Sequence, residues 1–197
     1  MKNLLVVIDM VNGFVNFGAL ADKKIDKITP TIINLIKNSK KNGFEVLAFK
    51  DCHSKDDEEF KTYPPHCIKG TEESELIPQL KQMENMFDYI IDKNTTNGFI
   101  TAKFQELIKN NTYDNVLVCG CCTDICVINY VSSYINYINN KNLTTKIIVF
   151  ENGCYTFDAP NHNAEKTHKQ ALDDMKNMGA KIVSYENEEL ENILWEN

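Results

Sequence analysis

The sequence predicts a three-layer α/β fold, in which one doubly wound parallel sheet of six strands lies between two layers of helices. Six short apolar runs alternate with segments of helical periodicity along the 197 residues. The first run, Leu4–Ile8, is apolar at every position, as expected of a strand buried on both faces. Strands that alternate with helices pair in parallel. No repeat or linker divides the chain, so residues 1–197 are predicted to form a single domain.

The predicted strands are short apolar runs bounded by polar residues or glycine. In chain order they are Leu4–Ile8, Glu45–Lys50, Asp88–Asp92, Asn115–Cys119, Lys146–Phe150 and Lys181–Tyr185. The third run has the weakest apolar pattern. Gly120 is expected to end the fourth strand, because glycine weakens a strand interior.

Capping residues and apolar periodicity predict helices between these strands. Thr29 is expected to cap a helix that has Pro30 at its first position, and Gly43 is its stop. Gly179 similarly stops the helix before the last strand. Three other helices are predicted to begin at Thr71, at Thr101, and at Thr123 or Asp124. Two further helices are predicted at Asn161–Met178 and Asn187–Trp195.

The composition excludes several classes of partner. A net charge of −7 argues against nucleic acid or an anionic membrane surface. The sequence contains no arginine, so no guanidinium fork can clamp a carboxylate or phosphate, which favours a neutral or weakly anionic small substrate. The seven cysteines are an odd number and indicate reduced thiols. With no signal-peptide pattern and no apolar run near ~20 residues, a cytoplasmic protein without a membrane span is expected.

The stretch NVLVCGCCTDICV, residues 115–127, places Cys126 in the first turn of a helix directly after a buried strand. Free N–H groups and the helix dipole favour negative charge there, so the pKa of this thiol is expected to be lowered. The arrangement is the thiol counterpart of a nucleophile elbow, and Cys126 is the candidate nucleophile. One alternative is a buried structural cysteine. Another is a metal site formed with Cys119, Cys121 and Cys122, whose spacing matches no zinc pattern.

Polar side chains follow the first four strands at the points where these strands end. They are Asp9, Asp51 with His53, Lys93 and Cys126. Ligands bind beyond the carboxyl ends of the strands in open parallel sheets. An acid, a lysine and a cysteine at that edge would supply a base, an orienting cation and a nucleophile. Taken singly, Asp9 also fits a turn cap and Lys93 a solvated lysine, and their joint position favours catalysis.

Asp51, His53 and His66 form a second constellation. One carboxylate and two imidazoles suit a divalent transition metal and leave room for water or substrate. Two prolines before His66 stiffen the chain that presents it. Glu59 is a candidate fourth ligand.

Other titratable side chains are interpreted as structural. Asp56, Asp57 and Glu58 are expected to form a solvated acidic loop. His168 lies on the apolar face of its predicted helix and His162 lies near a helix start.

Together these motifs resemble the nicotinamidase/isochorismatase superfamily of cysteine hydrolases, and among them most closely the nicotinamidases (pyrazinamidases). The resemblance spans essentially the whole chain. It is carried by Asp9 to Phe14, Asp51-x-His53, the segment PPHCIKGT at residues 64–71, Asp92-Lys93, and the segment CCTDICV at residues 121–127.

The resemblance implies a strand order of 3-2-1-4-5-6, which sets Asp9 beside Cys126. It implies that Cys126 is the nucleophile, that Asp9 is the general base, and that Lys93 orients Asp9 and stabilises the thiolate. It also implies a cis peptide between Cys121 and Cys122, followed by an oxyanion hole formed by the backbone N–H groups of Cys122 and Cys126.

The resemblance further implies a substrate and a cofactor. Nicotinamide, or pyrazinamide, would be hydrolysed to the acid and ammonia through a cysteine thioester, as a step of pyridine nucleotide salvage in NAD metabolism. Phe14 and Tyr63 would line the pocket. Asp51, His53 and His66 would hold one divalent ion, with zinc the first candidate and iron or manganese the others, that binds the pyridine nitrogen. Relatives commonly self-associate, so a homo-oligomer is expected.

Three departures from the family pattern leave another substrate open. Thr96-Asn97-Gly98-Phe99 stands where an aromatic-Ser-Ala-Phe segment is usual, Cys122 replaces the usual alanine of the turn, and Tyr63 stands where Trp or Phe is frequent. The alternative is a cysteine hydrolase of the same superfamily that acts on another small amide or an N-carbamoyl compound. A non-catalytic module that binds a nucleotide is a third hypothesis, but no glycine-rich phosphate loop follows any predicted strand.

Overall fold

The computed structural model describes residues 1–186 and 190, and its six strands form one parallel sheet. The strands are β1 (Asn3–Ile8), β2 (Glu45–Asp51), β3 (Tyr89–Lys93), β4 (Asn115–Cys121), β5 (Lys146–Tyr155) and β6 (Lys181–Val183). Their order is β3-β2-β1-β4-β5-β6. The predicted fold class and strand order are therefore confirmed.

Helices cover both faces of this sheet. They are α1 (Asn12–Val15), α2 (Thr29–Lys41), α3 (Pro78–Lys81), α4 (Ala102–Asn110), α5 (Ile128–Lys141) and α6 (Ala164–Met178). Thr29 is the first residue of α2 rather than its cap. A 3₁₀ turn, Lys23–Ile28, runs directly into the helix, and the Thr29 hydroxyl donates to Asp26 Oδ1 at 2.8 Å. Among the described helices, none is long and apolar enough to cross a membrane.

The central strand β1 is fully buried and separates two hydrophobic cores. Leu5 and Val7 point into the core that α2 covers, and Leu4 and Val6 point into the core that α4, α5 and α6 cover. Successive side chains of a strand alternate between the faces, so a strand covered on both sides must be apolar throughout. The continuous apolar run is thus explained by its place in the middle of the sheet.

Gly120 does not end β4, which continues to Cys121. The backbone of Gly120 has φ +122°, and a Cβ atom there would lie 2.1 Å from the carbonyl oxygen of Ile8. Glycine is therefore required because β1 and β4 approach each other closely at this position. The predicted boundary was wrong because sequence alone does not distinguish a breaking glycine from a packing glycine.

The turn after β4 also differs from the prediction. It is a π-helical turn, Thr123–Val127, that leads into α5. Neither Thr123 nor Asp124 is the N-cap of this described turn; Cys122 occupies that position without a side-chain cap bond. Cys126 thus lies in a wide helical turn, a geometry that is frequent at functional sites.

The remaining differences concern element ends. Thr71 precedes only a 3₁₀ turn, Glu72–Ser74, and its hydroxyl donates to the Ile68 carbonyl. β5 extends five residues beyond the predicted Phe150, because it continues to pair with the extended β4. α6 begins at Ala164, since a bridge between Ala159 and His162 occupies the preceding turn. Apart from Leu190, the predicted helix at residues 187–195 lies outside the described residues.

Candidate active site

The carboxyl edge of the sheet brings four predicted residues together. Asp9 follows β1, and the last residues of β2 and β3, Asp51 and Lys93, are partners in the strand register. Lys93 Nζ lies 2.8 Å from Asp9 Oδ2, 2.7 Å from Asp51 Oδ1 and 3.8 Å from Cys126 Sγ. It also donates to the backbone oxygen of Thr95 at 2.9 Å. One ammonium group therefore joins two carboxylates and a thiol.

Burial and charge control the protonation of this group. Lys93 is only 3% exposed. Burial lowers its pKa, but Asp51 and Asp9 raise it well above the ordinary value, so the ammonium stays charged. Burial raises the pKa of Asp9 to about 6, although Lys93 partly offsets this effect. Burial also acts to raise the pKa of Asp51, but Lys93, His53 and His66 outweigh it and hold that pKa below its usual range.

The pKa of the Cys126 thiol is raised, which corrects the expectation from its position near a helix start. Burial is the largest cause; Lys93 lowers the pKa, but Asp9 and Asp51 raise it again. At neutral pH the sulfur therefore carries its proton, and a base must remove that proton before attack. The Asp9 carboxylate and the Cys126 thiol both lie beside the Lys93 ammonium, so the acid is next to the thiol that it must deprotonate.

Backbone contacts fix Asp9 in the left-handed region, at φ +53°. Its N–H donates to the Phe49 carbonyl at 3.0 Å, and its carbonyl accepts from the Val11 N–H at 2.8 Å. The Cys121 thiol also donates to this carbonyl, at 3.2 Å. The peptide between Cys121 and Cys122 is cis, as the resemblance implied.

Asp51, His53 and His66 converge as the sequence predicts. The Nε2 atoms of both imidazoles lie 3.0 Å from Asp51 Oδ2. The three buried residues each offer a ligand atom, and these atoms lie within 4.8 Å of one another. The group is therefore preassembled and buried.

The opposite ring nitrogens show that this group fits a cation. His53 Nδ1 donates to Asp57 Oδ2 at 3.1 Å, and His66 Nδ1 donates to the Pro64 carbonyl at 2.8 Å. Both Nδ1 atoms are thus held by acceptors, and both Nε2 atoms face the same oxygen of Asp51. Outer hydrogen bonds of this kind orient the histidine ligands in the carboxylate–histidine–metal arrangements of metalloproteins. The donor set suits a divalent transition metal.

The Asp57 side chain is less solvated than the sequence suggested, with 15% of it exposed, whereas Asp56 and Glu58 of the same loop are exposed as expected. Its Oδ2 accepts from the Ser54 N–H at 3.0 Å as well as from His53. The sequence signal for this role was the spacing, because Asp57 follows the candidate ligand His53 by four residues. Glu59 lines the cavity next to the metal group and remains a candidate ligand. Burial and the charge of Asp51 raise the pKa of Glu59.

A cavity of about 370 Å³ opens over Cys126 and Asp51. Phe14 and Tyr63 line it as predicted, and Glu59 contributes negative charge to its wall. Among the described residues that line the cavity, none is a lysine. Its aromatic surface and the absence of lysine among these lining residues suit a small uncharged ring compound better than an anion.

Several side chains that lie at or beside the site were not identified from the sequence. Phe157, on the chain after β5, lines the cavity. His162 Nε2 pairs with Asp124 Oδ2 at 2.9 Å, and His168 Nδ1 meets Thr123 Oγ1 at 2.8 Å. Both histidines thus contact the turn that carries Cys126, which agrees with the structural roles expected of them but adds a partner that the sequence did not indicate. Contacts of this kind depend on tertiary packing and leave no local pattern.

Comparison with known proteins places this site in a family. The model of the isochorismatase domain matches residues 3–187. Nicotinamidase 1 of Arabidopsis thaliana is 34% identical over 91% of this chain and 84% of the relative. The crystal structure of the nicotinamidase PncA from Bacillus subtilis superposes with a TM-score of 0.79 at 27% identity, covering 93% of this chain and all of that one. The N-carbamoylsarcosine amidase of Thermoplasma acidophilum superposes with a TM-score of 0.75 at 26% identity, covering 94% and 98% of the two chains.

The fold and these relatives define an amidohydrolase. The chain belongs to the isochorismatase family.

Proposed function

We propose that this protein is a nicotinamidase that hydrolyses nicotinamide, and pyrazinamide, to the acid and ammonia. The observation that carries the proposal is the placement of Cys126, Asp9 and Lys93 beside a buried metal-ligand set in one aromatic cavity. The 34% identity to a plant nicotinamidase supports the same substrate.

The chemistry follows from the protonation states. Asp9 removes the thiol proton, and the sulfur, with Lys93 beside it, attacks the carboxamide carbon. The backbone N–H groups of Cys122 and Cys126 would stabilise the oxyanion. Ammonia leaves with the proton that Asp9 holds, and a thioester with Cys126 remains. Water then attacks the thioester while Asp9 takes its proton, the C–S bond breaks, the proton passes from Asp9 to the Cys126 sulfur, and the acid is released.

The ligand set would fix the position of the substrate. Asp51, His53 and His66 would hold a divalent ion, with zinc the first candidate and iron or manganese the others, and Glu59 as a candidate fourth ligand. The ion would supply a Lewis-acidic anchor for the ring nitrogen. Phe14 and Tyr63 would then pack against the ring from the cavity wall.

A second candidate substrate is an N-carbamoyl compound. The similarity to an N-carbamoylsarcosine amidase favours it, and so do the departures at Thr96 and Cys122, both of which line the cavity. Such a substrate has a scissile C–N bond of the same kind but no aromatic ring nitrogen. The two candidates therefore differ in whether the metal matters for substrate binding.

Ammonia release tests the proposal directly. We expect the zinc-loaded protein to release ammonia from nicotinamide and pyrazinamide, and Cys126→Ala to release none. Turnover of N-carbamoylsarcosine without turnover of nicotinamide would support the second candidate. Retained activity in Cys126→Ala would refute the thioester mechanism for either substrate.

The acid limb of the pH profile should lie unusually high for an aspartate base. Asp9 must be ionised to accept the thiol proton, and its pKa is raised to about 6. We therefore expect kcat/KM to fall as the pH drops through about 6, whereas an ordinary aspartate would place the fall near ~4. Steady-state kinetics give the limb, and circular dichroism at each pH checks that the fold persists. A limb near 4 would contradict a buried base at this position.

Removing the charge of Asp57 should weaken metal binding. Asp57→Asn keeps the shape of the side chain but weakens the bond that holds His53 Nδ1. We expect the zinc dissociation constant to rise by about 10–100-fold, measured by competition with a chromophoric chelator. Asp56→Asn is the matched control, because Asp56 is exposed. Equal affinities in the two variants would show that Asp57 does not support the site.

A further inference from the structure

His162 lies between two groups that can only accept hydrogen bonds. Its Nδ1 lies 2.9 Å from the carbonyl oxygen of Phe157, and its Nε2 lies 2.9 Å from Asp124 Oδ2. A carbonyl and an ionised carboxylate bring no proton, so both ring nitrogens must donate. Only the imidazolium form of histidine has two N–H groups, and His162 is therefore charged in this arrangement.

The same ring is stacked flat on the aromatic ring of Phe157. The ring centroids are 4.0 Å apart and the planes differ by 3°. A cation over an aromatic face is attracted by the ring quadrupole, so the charged form also strengthens this contact. His162 thus holds Phe157 by its backbone and by its side chain.

The two partners of His162 belong to different segments of the chain. Phe157 lines the wall that follows β5, and Asp124 lies in the turn that carries Cys126. His162 therefore fastens the aromatic wall to the nucleophile turn. Its own loop is closed by two backbone bonds of 2.9 Å between Ala159 and His162, so the imidazolium is presented from a fixed position.

The charges around His162 are consistent with this form. Burial lowers the pKa of His162, but the hydrogen bonds to Asp124 and to the Phe157 carbonyl raise it above the ordinary value. Asp158 is the other acid nearby, and its own pKa is lowered mainly by Lys24 and the Ala164 N–H, with a smaller contribution from His162. The side chains of His162 and Asp124 are 22% and 17% exposed, so protons exchange with solvent.

We propose that His162, in its imidazolium form, is a positioning residue that sets substrate affinity by fastening Phe157 to the turn of Cys126. It touches neither the reacting atoms nor the metal-ligand group, so its loss should change KM rather than kcat. The proposal rests on the proposed function only in taking the cavity as the amide-binding site. A neutral His162 gives up one of its two bonds, and KM should therefore rise with pH as the ring loses its proton.

Kinetics of three variants test this role. His162→Phe keeps a ring that can stack but removes both hydrogen bonds, and we expect KM to rise about tenfold while kcat changes by less than about twofold. The rise of KM at alkaline pH should disappear in this variant. In Asp124→Asn the rise of KM should begin at lower pH, because the neutral amide no longer favours the charged form of His162. Asn161→Ala, at an exposed neighbouring position, is the control.

A second measurement does not depend on the substrate. Proton NMR of the full chain should show that the His162 ring titrates above ~6.5. Its signal is assigned as the one that is missing in His162→Phe. In Asp124→Asn the same ring should titrate at lower pH. Thermal melting confirms that each variant is folded. An unchanged KM in a folded His162→Phe, a parallel loss of kcat, or titration at or below ~6.5 would overturn the proposal. If the protein does not turn over nicotinamide, the titration still decides the charge state of His162. The KM and kcat of the variants are then compared with whichever amide the protein does hydrolyse.

Discussion

Lys93→Met is expected to abolish most of the activity and to destabilise the fold at the same time. The variant leaves Asp9 and Asp51 as two buried carboxylates without the ammonium that joins them. Loss of one partner of a buried ion pair typically costs about 3–5 kcal/mol of unfolding free energy. The sulfur also loses the charge that favours its ionised form, and kcat/KM should fall by about 10²–10³-fold. Urea denaturation of the metal-free protein and ammonia-release kinetics measure the two effects.

The neighbouring lysine of β2 offers a matched control. Lys50 Nζ lies 3.7 Å from Asp92 and 3.9 Å from Glu75, with 15% of the side chain exposed. Such long and partly solvated pairs contribute at most about 1 kcal/mol. Lys50→Met should therefore stay within about 1 kcal/mol of the original stability and keep its activity. If the two variants lose stability equally, the ion pairs of Lys93 do not hold this edge together.

Gly120→Ala is expected to prevent folding or to cost more than about 4 kcal/mol. The added Cβ would lie 2.1 Å from the oxygen and 2.6 Å from the nitrogen of Ile8. These are backbone atoms of the central strand, so no side-chain rotation can relieve the overlap. β1 and β4 would have to separate where they carry Asp9 and Cys126 to the site. Soluble yield and denaturant midpoint report the loss.

Gly179→Ala separates this overlap from the cost of the backbone conformation. Gly179 also has a positive φ, +111°, but in the described chain a Cβ there would meet nothing within 4 Å. Its replacement should cost only the penalty of the left-handed conformation, about 1–2 kcal/mol. Similar losses in both variants would mean that the approach of β4 to Ile8 is not the limiting contact.

The catalytic edge of the site was predictable because it follows from strand ends. Apolar runs located β1 to β4. Parallel pairing requires that Asp9, Asp51 and Lys93, which lie at strand ends, come to the same carboxyl edge of the sheet. The position of Cys126 followed from the turn after β4. These inferences needed only residue type, order and the geometry of a parallel sheet.

The protonation and support of the site were not predictable in the same way. The position of Cys126 near a helix start suggested a lowered pKa, but burial among two carboxylates raises it. The roles of Asp57 and His162 depend on which atoms they meet after the chain has folded. Composition and spacing contain no information on desolvation or on contacts between distant loops.

The pairing of β1 with β4 has a consequence for assembly. The base lies near the start of the chain and the sulfur lies beyond its middle, and they meet only when these two strands are registered, Ile8 against Gly120. An intermediate that has collapsed and formed its helices, but has not inserted β4 beside β1, would be catalytically silent. Recovery of turnover during refolding should therefore mark the completion of a long-range strand pairing, a late and slow event compared with helix formation.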